Sequence, residues 1–170
     1  AAHPQAAVNL AVELAAQRLP AAYDFSPATD IQILSPTRRG TAGTSNLNRE
    51  LREKINPASY QKKEMTFRDI VFREGDKVMQ IRNNYDLITE RDDGTLDAGV
   101  YNGDLGIIEA VIPAQESLIV RFDDRRVTYT NETLEELEPA YAITVHKSQG
   151  SEFKAVILLV SEGADVLFTR

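Results

Sequence analysis

The densest chemistry in this chain lies in ten consecutive residues, Thr144-Val145-His146-Lys147-Ser148-Gln149-Gly150-Ser151-Glu152-Phe153. The hydroxyls of Thr144 and Ser148 and the Gly150 amide can donate to phosphate oxygens, and His146 and Lys147 add cationic or polarisable donors. Glu152 can accept a hydrogen bond from a ribose hydroxyl. The stretch lies between two apolar runs, 140–143 and 155–160. A polar, glycine-containing loop between two buried strands is where open α/β domains place ligand chemistry. On residue types alone a second reading stays open: a polar loop whose Ser and Thr cap a helix and whose His is solvated.

A second candidate is Ser35-Pro36-Thr37-Arg38-Arg39-Gly40-Thr41-Ala42-Gly43-Thr44, which follows the β-rich run Ile31-Gln32-Ile33-Leu34. Arg38 and Arg39 leave the C-terminal end of that strand, where arginines clamp phosphate with two parallel hydrogen bonds. An exposed basic pair beside helix-capping residues is the commoner case. Asn83, Asn84, Tyr85 and Asn102 form a third set. Aromatic and amide groups of this kind stack on or hydrogen-bond single-stranded bases on small barrels, and Asn is equally an ordinary turn residue. A phosphate loop of the form G-x-x-x-x-G-K-[ST] is absent: Lys147-Ser148 lacks the preceding glycine. Ser161-Glu162 is therefore not read as a Mg²⁺ site, and His3 has no ligand partner in sequence, so no metal site is expected.

The elements that position these residues follow from periodicity. Val8, Val12, Ala15 and Leu19 recur at helical spacing, with Pro20 expected to end the helix. Leu47, Leu51 and Ile55 mark one face of a second helix, capped near Thr44 or Ser45 and stopped at Asn56-Pro57. Strand, glycine-containing loop and helix make half a βαβ unit. After about residue 67 the texture changes. Residues 75–82 alternate as a half-buried strand does, and 107–111, 118–122 and 127–130 read as further short strands around Gly and Asp turns. These suggest a small antiparallel barrel. From Tyr141 onward the α/β texture returns, with 156–160 expected as a fully buried strand.

The expected organisation is an α/β domain with a parallel sheet, residues 1–72 and 139–170, interrupted by a barrel at 73–138. The 170 residues suffice for that, and there is no cysteine for a disulfide or thiolate metal site. A start without basic and apolar regions, and no apolar run near ~18 residues, fit a cytoplasmic protein with no membrane partner. The net charge of −7 argues against a generic nucleic-acid coat, although 38–63 is locally basic and local potential decides where a phosphate chain lies.

Taken together, residues 31–40, Gly43-Thr44, Leu47-Asn48 and Asn56-Pro57 resemble motif IV and its following helix in RecD-like superfamily 1B DNA helicases. Residues 75–86 and 101–106 resemble the SH3-like domain 2B inserted in those enzymes, and 140–153 resembles their motif V. The resemblance implies a RecA-like domain 2A, of the P-loop NTPase type, carrying an SH3-like 2B insert. Walker A and Walker B belong to the preceding domain 1A of such a parent. Motif VI is not found, and Arg170 resembles the stretch just upstream of it. By this resemblance Thr144 and His146 contact the single-stranded DNA backbone, with Lys147 or Ser148 nearby. Gly150 and Glu152 face the nucleotide, Arg39 (or Arg38 beside it) senses phosphate, and Asn83, Asn84 and Tyr85 hold the departing strand.

The implied parent is an ATP- and Mg²⁺-dependent 5′→3′ helicase. Its partners would be single-stranded DNA, domain 1A and possible recombination-complex subunits. The 170-residue piece alone is expected neither to bind the nucleotide firmly nor to hydrolyse it. Two rival readings fit the same residues. One is a non-enzymatic nucleic-acid or protein-binding module centred on the barrel; the other is another nucleotide enzyme such as a kinase, which the missing phosphate loop disfavours.

Overall fold

In the computed structural model, which describes residues 3–160, the chain begins with helix α1 (Pro4–Glu13), capped by the His3 side chain. Val8, Ala11, Val12 and Ala15 are buried at helical spacing. Pro20 does not end this helix. A π-helical turn (Leu14–Arg18) leads into α2 (Leu19–Tyr23), which stops at Asp24 with φ 56°. The wider turn, in which the Leu19 N–H reaches the Leu14 carbonyl, shifts the hydrogen-bond register so that proline's missing donor and bulky ring are accommodated.

Strand β1 (Ile31–Ser35) and helix α3 (Thr44–Ile55) follow. Ile31, Ile33, Leu47 and Leu51 join the α1 side chains in one core. The cap of α3 differs from expectation: Gly43 is the N-cap and contributes no side chain. The N–H groups of Thr44 and Ser45 instead donate to the carbonyls of Thr37 (3.0 Å) and Arg38 (3.2 Å).

The middle of the chain is all β: β2 (Glu64–Phe67), β3 (Ile70–Arg73), β4 (Lys77–Gln80), β5 (Asn84–Arg91) and β6 (Leu96–Val100). It continues with β7 (Leu105–Ile112), β8 (Ser117–Phe122), β9 (Arg125–Tyr129) and β10 (Leu137–Pro139). Seven of these form one antiparallel sheet in the order β10-β4-β7-β8-β9-β5-β6, and β2 and β3 make a separate hairpin. Val78, Val100, Ile108, Val120, Phe122, Val127 and Leu137 converge on a single core, as in a small barrel. The strand expected to be half-buried, β4, is buried at all four positions, because β7 and β10 flank it.

The last described elements are β11 (Ala142–Thr144) and β12 (Ala155–Leu158). Both pair with β1 in parallel, giving the order β11-β1-β12. β12 is an edge strand among the described residues and not fully buried: Val156 and Leu158 are 51% and 45% exposed.

The chain divides into two compact units, residues 1–57 with 141–170 and residues 58–140. The boundaries expected at 72/73 and 138/139 therefore move to 57/58 and 140/141. The β2–β3 hairpin goes with the barrel because Phe72, fully buried, is part of the barrel core, with Met65, Phe67 and Ile70 packed against it. Sequence readings for Ser161-Glu162 and 166–170 lie outside the described residues. Among the described residues no helix is long and apolar enough to cross a membrane, and no cluster of His, Cys, Asp or Glu could hold a metal ion.

Candidate nucleic-acid and nucleotide site

Parallel pairing decides where the two sequence-predicted loops go. Ser35 is in register with Thr144, and each is the last residue of its strand. The basic 36–43 loop and the 145–148 turn thus leave adjacent strands at the same, C-terminal edge, the position at which α/β sheets bind ligands. The structure brings Arg38, Arg39, Thr144, His146, Lys147 and Ser148 to one edge of one unit.

Within the second loop the groups differ in what they can offer. Thr144 is half-buried, and His146, in a 3-10 turn (Val145–Ser148), is exposed. The Ser148 hydroxyl donates to the Val145 carbonyl at 2.7 Å, so it closes the turn and keeps only acceptor capacity for a ligand. Gly150 and Glu152 are exposed. They lie on a crossover that runs from Thr144, level with Ser35, to Ala155, level with Ile31. That descent is about 13 Å along β1, at ~3.3 Å per residue. It ends where the Lys154 ammonium meets the Asp30 carboxylate at 3.1 Å. The ten-residue motif is therefore divided, with its first half at the C-terminal edge and its last residues at the other.

The basic loop is held from beneath. The Ser35 hydroxyl, fully buried, lies 2.6 Å from the Ala42 carbonyl it donates to. Gly43 packs so closely that a Cβ there would stand 2.4 Å from the Arg39 carbonyl oxygen and 2.6 Å from the Arg38 carbonyl carbon. No other residue fits that approach. Arg38 and Arg39 are exposed. The α3 N-terminus is not a free anion site, since its first N–H groups are taken by the Thr37 and Arg38 carbonyls.

Sequence reasoning missed Asn48. Its side-chain amide donates to the Ala142 carbonyl at 2.9 Å and accepts from the Ala142 N–H at 2.8 Å, satisfying the outer edge of β11. The signal was present. Thr44, Leu47, Asn48, Leu51 and Ile55 form one helical stripe, and an amide on an apolar stripe needs a buried partner.

In the barrel, the third set is largely committed to its own fold. Asn83 accepts from the Asn102 N–H at 2.9 Å, and the Asn84 amide donates to Glu136 at 3.1 Å. Glu136 also accepts from Gln80, which in turn accepts from Tyr129 at 2.7 Å. Burial, with Glu136 and Asp104 close by, pushes the Tyr129 phenol far above its usual range, so it stays a neutral donor. Tyr85 carries the aromatic face of the set, and Asn102, bonded through its backbone N–H, is exposed beside it. Tyr85 is 67% exposed and meets Tyr101 edge-on at 5.7 Å.

Charge separates the units. The barrel unit has 10 Lys and Arg against 18 Asp and Glu, whereas the other unit has 9 against 8. The barrel unit is thus net acidic and the other close to neutral, a balance that favours the second for phosphate contacts.

Comparison with known proteins bears on the family. Residues 47–122 match the family described as the ATP-dependent RecD-like DNA helicase SH3 domain, and 139–167 match the UvrD-like helicase C-terminal domain. The uncharacterized protein MJ1519 of Methanocaldococcus jannaschii is 36% identical over 166 residues, covering 87% of this chain and 14% of that protein. The ATP-dependent RecD2 DNA helicase of Deinococcus radiodurans is 31% identical over 140 residues, covering 82% and 17%. The RecBCD enzyme subunit RecD of Haemophilus influenzae is 29% identical over 147 residues, covering 82% and 18%. The chain thus spans less than a fifth of the length of these relatives. The chain belongs to the RecD-like DNA helicases, of which it corresponds to the SH3 domain and part of the UvrD-like C-terminal domain.

Proposed function

We propose that this chain supplies single-stranded DNA grip and one flank of the ATP cleft in an ATP-dependent 5′→3′ DNA helicase. The observation that carries the reading is the Ser35–Thr144 register, which sets a basic loop beside a hydroxyl- and imidazole-bearing turn. Thr144, His146 and Lys147 are the DNA-contact groups, with Ser148 as the residue that shapes their turn. Phosphate contacts of this kind fix register on a strand without reading its sequence. Tyr85, backed by Tyr101, is what the barrel offers to a base.

The donor set also suits a nucleotide, on one side only. Arg39 is an exposed guanidinium at the sheet edge, suited to developing phosphate charge. Gly150 and Glu152, on the descending crossover, would meet the nucleotide farther from Arg39. When bound with Mg²⁺, ATP would supply the free energy of phosphoryl transfer. Neither a phosphate loop nor a carboxylate cluster for the metal is found among the described residues, so those groups are assigned to a domain 1A of the parent. The 170-residue chain by itself should show no ATPase activity. Recombination-complex subunits are further proposed partners, on the likeness to RecD.

Photocrosslinking tests the DNA contact. A bromodeoxyuridine-substituted oligonucleotide irradiated with the chain should label peptides containing 144–148. Label confined to the barrel would contradict the reading and favour a binding module centred there.

A further inference from the structure

Helix α3 touches both loops of the proposed site, each through its backbone. At its N-terminus the Thr44 and Ser45 N–H groups hold the Thr37 and Arg38 carbonyls. One turn later Asn48 holds both polar groups of Ala142, two residues before Thr144. Ala142 is paired with Ile33 on its other side. Asn48 is only 8% exposed, which leaves little room for water to replace it. An amide side chain matches a backbone N–H and C=O pair in donor, acceptor and spacing; neither a carboxylate nor an aliphatic group does.

We infer that Asn48 is a positioning residue that couples the two loops, so that a displacement of the Arg38–Arg39 loop is carried by α3 to Thr144 and His146. This rests on the proposed function for its meaning, but the coupling stands as a property of the fold. A helix is stiff along its axis, and both ends of this connection are hydrogen bonds to main chain. Movement at either loop must therefore strain the other or break the Asn48 pair.

The test uses amide hydrogen exchange and chemical shifts on the ¹⁵N-labelled 170-residue chain. In Asn48→Ala, protection should fall at least about tenfold at 142–148 and also at 38–45, with α1 and the barrel unchanged. Acceleration at Ala142 alone, or uniformly through the α/β unit, overturns the inference. A double-mutant cycle supplies the readout that simple stabilisation would not move. Gly43→Ala should shift the amides of 144–148 clearly more when Asn48 is present than in the Asn48→Ala background, where only the Ser35 link remains. Equal shifts in both backgrounds overturn it. Should Gly43→Ala unfold the unit, the single Asn48→Ala pattern still decides. Failure of the wild-type chain to bind a labelled oligonucleotide would count against the DNA reading and leave the exchange result to decide the coupling.

Discussion

Gly43→Ala is the substitution whose cost the structure defines most sharply. The backbone there, φ −75° and ψ 155°, suits any L-residue, so strain in the dihedrals is not the issue. The new methyl would sit 2.4 Å from the Arg39 oxygen and 2.6 Å from two Arg38 backbone atoms. An ordinary contact needs roughly 0.8 Å more, and backbone atoms cannot swing aside as a side chain does. Either the 38–39 segment lifts or the first turn of α3 retreats. Overpacking of this order costs about 1–3 kcal/mol. Loss of the Thr44 and Ser45 hydrogen bonds to the loop adds about 1 kcal/mol each. The reduced freedom of the unfolded chain returns about 0.4–1 kcal/mol. The net is a destabilisation of about 2–5 kcal/mol, confined to the α/β unit. Urea titration followed by ¹H–¹⁵N spectra separates the two units, which bulk optical probes would blend. Amides of α3 and β1 should lose native intensity at lower urea than in wild type, while barrel amides keep their midpoint. Unchanged midpoints for α3, with 38–43 unshifted, would refute the close approach.

Other consequences can be checked in the same way. Phe72→Ala should lower barrel stability by about 3–5 kcal/mol and spare the α/β unit, because the hairpin residue is buried in the barrel core; the opposite pattern would return 58–72 to the α/β unit. Tyr129→Phe leaves the Gln80 oxygen without its buried donor and should cost about 1–3 kcal/mol, read from barrel amides in urea. Glu109 is held below its ordinary carboxylate value of 4.5, first by its hydrogen bond from Arg126 and then by the charges of Arg126 and Arg121. Since the folded value is the depressed one, the stabilisation is present above pH ~4.5 and is lost as the pH falls through the folded pKa. Arg126→Gln should raise that pKa in a carboxyl-detected titration, and no rise would remove the pairing from the account.

Strong local patterns were legible in the sequence. The run at 31–34 is short and β-rich enough to read as a strand, and the spacing of Leu47, Leu51 and Ile55 marks α3, because apolar periodicity reports a buried helix face directly. The misreadings share a physical origin in tertiary context. Pro20 normally stops a helix, yet a preceding π turn alters the register it must fit. Residues 155–158 are apolar enough for a central strand and lie at an edge among the described residues, since composition does not say how many neighbours a strand has. Strand β2 alternates exposed and half-buried residues and β3 is apolar, but neither pattern says which of two cores the hairpin packs on; that is set by Phe72 in the barrel core. The two loops were each visible as candidates, but their adjacency is a matter of strand order. The apolar stripe marked Asn48 as an amide needing a buried partner, but not which one, because that partner lies 94 residues away.

The central claim is best tested by fluorescence anisotropy of a labelled single-stranded oligonucleotide titrated with this chain at low and moderate salt. Thr144→Ala/His146→Ala and Tyr85→Ala variants would be run alongside. The account predicts salt-sensitive binding that is abolished in the double variant and only weakened in Tyr85→Ala. Binding that survives the double variant and disappears with Tyr85 would move the DNA to the barrel and contradict it.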